Sequence, residues 1–273
     1  MKIKQNKKAN SVPGFNISKH TILSKPKTSQ ITIFIILGVA IVLLLLFLFF
    51  KEDIPFIGTE VTPIDKVQGC IEDSVKDAVD KLRTQGGDLD PEFYYEYGGK
   101  KISYLCYTEE YYKTCVMQRP MLKNHIEKEI AEEIAPAIDA CVDSLKDLER
   151  KGYEVSIDDK IFAVSLVPDN ILIDILADIK IKKGDEIESY QRLSANVDSS
   201  MYELVMVSSS ILNWEARYGD AETTGYMVYY PSLKVEKMKQ GDGTTIYTIT
   251  DRNSEENFIF ASRSLPWPPG YIA

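Results

Sequence analysis

Few residues in this chain have both the type and the spacing that chemistry needs. His125 lies in Asn124-His125-Ile126-Glu127-Lys128-Glu129, where an imidazole and a carboxylate four residues apart share one side of a helix and could hold a metal ion together. A second strong ligand is missing from the neighbourhood, so the spacing reads as a polar face turned to solvent. Asp88, Asp90 and Glu92 alternate, as do Asp251, Asn253 and Glu255, in the manner of the start of a calcium loop. Neither run has the glycine and distal glutamate that complete such a loop. Asp251-Arg252-Asn253-Ser254 is better read as the turn between two strands, for which Asp, Asn and Ser are suited. There is no G-x-S-x-G elbow and no G-x-x-x-x-G-K-[ST] phosphate loop. No catalytic residue, metal ligand or cofactor is therefore expected.

The four cysteines, Cys70, Cys106, Cys115 and Cys141, all lie beyond residue 50. An even number in one part of the chain suggests two disulfides, for which three pairings exist. Cys106 with Cys115 is favoured because they bound a short loop. That leaves Cys70 with Cys141, each at or beside the apolar stripe of a helix, so that a bridge would clamp the two helices. Loop closure would contribute about 3 and about 4 kcal/mol respectively. Zinc is the rival use, but there is no C-x-x-C pair and histidine is nearly absent. Tyrosine is the other bias. Tyr94, Tyr95, Tyr97, Tyr104, Tyr107, Tyr111 and Tyr112 fall within nineteen residues. Such density suits a half-buried sheet, and the alternative is a partner surface, since tyrosine brings large area with a polar tip.

The elements that must carry these residues start with a span of twenty uncharged residues, Ile31 to Phe50. As a helix it would reach roughly 30 Å, the thickness of a bilayer's hydrocarbon core. Before it lie seven lysines and no acid, which predicts a cytoplasmic tail (1–30), a transmembrane helix (31–50) and an extracytoplasmic remainder. That remainder has all 41 acidic residues and 25 of the 32 basic ones, so nucleic acid is excluded as a natural partner. Residues 51–62, with Pro55 and Gly58, read as a linker.

Residues 63–273 read as one α+β domain of about three helices and antiparallel strands. The first helix runs from Pro63 to the Gly86-Gly87 stop. A hairpin turns at Gly98-Gly99-Lys100. The second helix spans about Leu122 to Lys151 and contains Pro136. Three strands follow as a meander over 153–181, with Ile171, Ile173, Ile175, Ile179 and Ile181 on one parity. A third helix is expected from about Leu193 to Tyr218. Strands at 233–239, 244–250 and 258–262 complete the pattern.

Two resemblances bear on this architecture. Lys27-Thr28-Ser29-Gln30-Ile31-Thr32-Ile33-Phe34 resembles the class III, prepilin-like signals of archaea, with Ser29 where glycine is commonest and Phe34 where pilins usually have glutamate. That resemblance implies cleavage before Gln30 with the helix retained. The order of a cysteine-bearing helix ending in Gln85-Gly86-Gly87, a Tyr-rich hairpin, a second cysteine-bearing helix and a β-rich end looks like uncharacterised archaeal single-pass membrane proteins. It implies no activity. The expectation is a single-pass, membrane-anchored envelope or surface protein with an interaction or structural role. Its partners would be the lipid bilayer and other envelope proteins or itself. The alternatives are a pilin-like subunit and a membrane-tethered enzyme with an unfamiliar site.

Overall fold

The computed structural model describes residues 34–43 and 62–266, which fall in two units, 1–60 and 61–273. In the first unit residues 34–43 are helical, with exposed apolar side chains such as Phe34 and Ile36. The rest of the expected span from Ile31 to Phe50 lies outside the described residues. Among the described residues no helix is long and apolar enough to cross a membrane.

The second unit opens with α1, Pro63–Leu82. Thr62 caps it reciprocally: its hydroxyl accepts from the Asp65 N–H at 3.2 Å, and the Asp65 carboxylate accepts from the Thr62 N–H at 2.8 Å. Pro63 fits the first turn, where its missing N–H costs nothing. The buried stripe Ile64, Val67, Ile71, Val75, Ala78 and Leu82 recurs every three to four residues. Helix α2, Leu122–Asp143, buries Ile126, Ile130, Ile134, Ile138 and Cys141 at the same period. It stops earlier than expected, and the chain continues as a 3-10 helix, Ser144–Lys151, closed by Gly152 at φ +83°.

The hairpin consists of β1, Tyr94–Tyr97, and β2, Lys100–Tyr107, joined through Gly98 and Gly99, both at positive φ, as a two-residue hairpin turn requires. The short β3, Val116–Met117, extends the same edge of β2. The second sheet contains β4, Glu154–Ile157; β5, Ile161–Val167; β6, Asn170–Lys183; and β7, Glu186–Asp198. It is not a simple meander. The long β6 pairs with β7 along one edge, and β4 and β5 share the other. The expected isoleucine parity of β6 is the buried one.

The expected third helix begins later. Leu193, Ala195 and Val197 alternate inward on β7, paired with β6, and α3 runs only over Met201–Tyr218. Ladder pairing with β6 overrides the helical spacing of Val197 to Met201. A short α4, Thr224–Tyr229, precedes β8, Leu233–Lys239; β9, Thr244–Asp251; and β10, Asn257–Arg263. The first sheet has the order β1-β2-β10-β9-β8, and β10 lies parallel to β2, which departs from the all-antiparallel expectation. The fold is thus α+β with mixed sheets. One continuous apolar core joins α1, α2, α3 and both sheets.

The structure brings Cys70 against Cys141, with Cα atoms 5.9 Å apart, joining α1 to α2. Cys106 meets Cys115 with Cα atoms 5.3 Å apart, closing the loop after β2. Among the described residues no cysteine is free.

Candidate functional site

His125 is not on a solvated face. Helix α2 presents it and Glu129 on one side, and the loop after α1 brings Asp88 over them. That loop can come close because Gly86 and Gly87 adopt φ of +77° and +86°. A side chain at Gly87 would place its Cβ 2.8 Å from Ile126 Cγ1, so only glycine lets the loop press onto α2 beside His125. The result is a convergent cluster. Nε2 of His125 lies 2.5 Å from Oδ1 of Asp88, Arg119 Nη2 lies 3.4 Å from the same oxygen, and Arg119 Nε lies 3.3 Å from His125 Nε2. Ser103 Oγ donates to Asp88 Oδ2, and the Leu89 N–H donates to Glu129 Oε2 at 3.0 Å. Burial pushes the Asp88 carboxyl up. The hydrogen bonds from His125 and Ser103 and the charge of Arg119 together outweigh burial and hold it below the ordinary aspartate range.

A second buried acid, Glu215 on α3, lies wholly inside. Its side chain accepts from Tyr247 Oη, from the Ala221 N–H at 3.2 Å and from Ser262 Oγ at 3.1 Å. Ser262 also lies 3.7 Å from Cys115 Sγ. Burial raises the Glu215 pKa, and the hydrogen bonds and Lys237 only partly offset it. Burial and the neighbouring Glu215 also push the Tyr247 hydroxyl upward, so Tyr247 stays a donor.

The seven hairpin tyrosines divide. Tyr104 is buried and hydrogen-bonded to Thr244 Oγ1 at 2.8 Å. It anchors a small cluster with Ile102, Ile246 and Ala261, against which Tyr95, Tyr97 and Tyr107 pack. Phe93 stacks edge-on to Tyr107 with ring centres 4.5 Å apart. Four of the seven therefore build a second face of the sheet, and Tyr94, Tyr111 and Tyr112 remain exposed. A more open aromatic surface lies elsewhere. Trp214 and Tyr218, one turn apart on the outer side of α3, pack with ring centres 4.7 Å apart, both about half exposed. Tyr226 of α4 bonds Ser210 of α3 at 2.8 Å, and after it Val228, Tyr229 and Tyr230 are 71%, 82% and 51% exposed.

A shallow cleft of about 610 Å³ is lined by Asp139, Asp143, Lys146, Asp158, Asp159 and Lys160. Its cations are already paired, Lys160 with Asp139 at 3.0 Å and Lys146 with Asp143 at 3.1 Å. The Asp251 run is a turn, as expected: Asp251 Oδ1 accepts from the Asn253 N–H at 3.0 Å. Beyond it, Glu256 caps α3 by accepting from the Ser200 N–H at 2.6 Å.

Sequence reasoning missed Asp88 and Arg119 as partners of His125, because they come from distant loops. It also missed Glu215, for which a signal existed: Leu204, Ser208, Ile211 and Leu212 form the buried stripe of α3, and position 215 continues it. No protein-family model matches the chain, and no curated protein or solved structure matches it either, so its chemistry has only its own residues to be read from.

Proposed function

We propose that this chain is a membrane-anchored, extracytoplasmic interaction protein that associates with further copies of itself through the outer surface of α3 and α4. The observation that carries this reading is the exposure of Trp214 and Tyr218 on α3 and of Val228, Tyr229 and the following Tyr230 at the end of α4, the two helices being joined by the Ser210–Tyr226 bond. Trp214, Tyr218, Tyr229 and Tyr230 are each about half or more exposed. Tryptophan and tyrosine are enriched where protein surfaces meet, because each buries a large area through only two side-chain rotations. The sequence supplies the setting. The uncharged span anchors the chain, so neighbouring copies are confined to one membrane surface. Confinement of that kind raises the effective concentration, and a modest aromatic contact then suffices. The disulfides between Cys70 and Cys141 and between Cys106 and Cys115 suit an oxidising compartment.

The test is energy transfer between donor- and acceptor-labelled full-length chains in lipid vesicles at low copy number. Trp214→Ala combined with Tyr229→Ser should lower transfer severalfold, to the level of random proximity. Tyr111→Ser with Tyr112→Ser, which removes exposed hairpin tyrosines, should leave it near wild type. Unchanged transfer in the α3–α4 variant, with circular dichroism unaltered, would defeat the proposal. Loss in the hairpin variant alone would move the contact to the hairpin.

A further inference from the structure

We infer that Asp88, His125 and Glu129 form a binding site for a divalent transition metal of the zinc type. One ligand atom from each of the three lies within 4.8 Å of the others, a gathering that an ion could close. Two of the ligands are four residues apart on α2, so the helix itself fixes their separation. The third is delivered by a loop whose glycines let it sit directly on the helix.

The surroundings of the carboxylates match those of metal ligands. Asp88 Oδ2 accepts from Ser103 and Glu129 Oε2 from the Leu89 N–H, while Asp88 Oδ1 lies against His125 Nε2 and Arg119 Nη2 at the centre of the cluster. Hydrogen bonds of this sort orient carboxylate ligands and maintain their charge.

The imidazole shows the same need from another side. Nε2 of His125 faces both an acceptor, Asp88 Oδ1, and a donor, Arg119 Nε. One ring nitrogen can have a proton or a lone pair, and either choice leaves one of these two contacts mismatched. A cation bonded to both Nε2 and Oδ1 matches both atoms at once. Ligands on a common zinc ion stand at about 2.0–2.2 Å from it, so Nε2 and Oδ1, now 2.5 Å apart, have to part by under about 1 Å. Arg119 supplies positive charge to the cluster meanwhile. Its side chain is 42% exposed and has the Gln118 carbonyl as another acceptor, so it can swing aside. One nitrogen and two carboxylate oxygens suit zinc, manganese or cobalt. They are too few oxygens for calcium, and they lack the sulfur that copper(I) prefers.

The experiment is titration of the full-length protein in detergent with zinc, followed by calorimetry, and with cobalt(II), followed by its visible absorption bands. Wild type should bind one equivalent, with cobalt bands of a protein-ligated ion. His125→Ala and Glu129→Gln should each weaken binding by about tenfold or more. Arg119→Gln should strengthen it severalfold, because the competing cation is gone; a purely structural ion pair would give no such gain. Glu129→Gln serves where His125→Ala fails to fold, since Glu129 is partly exposed. Absence of saturable binding by the wild type would overturn the assignment, and so would binding that both ligand variants leave unchanged. The latter result would place the ion on the acidic surface instead.

Discussion

Asp88 and Glu215 are both carboxylates withdrawn from water, and their surroundings drive them in opposite directions. Around Asp88 stand a histidine, an arginine and a hydroxyl, and the ionised form wins despite burial. Around Glu215 the donors are Tyr247, Ser262 and one backbone N–H, all neutral, and burial wins. The difference is not depth alone but whether charge comes with the hydrogen bonds. A charged neighbourhood makes an acid available for binding. Neutral donors, with the charge of Lys237 only partly offsetting burial, make it a structural acceptor that fixes where α3, β9 and β10 meet.

The largest expected effect separates them by stability. Glu215→Ala leaves Tyr247, Ser262 and the Ala221 N–H without their acceptor in the interior and should cost roughly 3–5 kcal/mol in urea unfolding. Asp88→Ala, nearer the surface and with Arg119 able to reach solvent, should cost about 1–3 kcal/mol. Equal losses would break the contrast.

The pH dependence sharpens it. The folded-state pKa of Glu215 is raised above its ordinary 4.5, so its stabilising contribution is full below that value and is lost as pH rises through the folded pKa. Glu215→Gln cannot ionise, and Ser262 can reverse its hydroxyl to serve the amide. The urea midpoint of wild type should therefore fall relative to Glu215→Gln as pH rises from about 4. A gap that moves the other way would show an ionised Glu215. Asp88 has the opposite sign: its contribution is present above 3.8 and is lost as acid protonates it.

The smallest effect tests the loop that delivers Asp88. Gly87→Ala places a Cβ against Ile126 at a positive φ and should cost about 1–3 kcal/mol by thermal melting. The same change at Gly98, where nothing lies within 4 Å, should cost only the strain of the left-handed backbone, about 1 kcal/mol.

Much of the scaffold was legible because its signals are local. The Ile parity of β6 and the stripes of α1 and α2 are the buried faces. The start of α3 was not, since Val197 fits a helix with Met201 as well as a strand with Leu193 and Ala195, and only β6 decides between them. The parallel contact of β2 with β10 has no local signature. The His125 cluster is of the same kind: its members come from residues 88 to 129, and no spacing rule links Asp88 to a histidine that only a glycine-tightened loop brings near.

The position of β10 has a consequence for biosynthesis. It lies between β2 and β9, with Phe258, Phe260 and Ala261 fully enclosed, yet among the described strands it is the last to leave the ribosome. Until it arrives, the earlier-made β2 and β9 each expose an unpaired edge, an open template for pairing with another chain. Contacts so distant in sequence form slowly. A nascent chain of this protein therefore needs its open edges shielded from other chains until synthesis has passed Arg263.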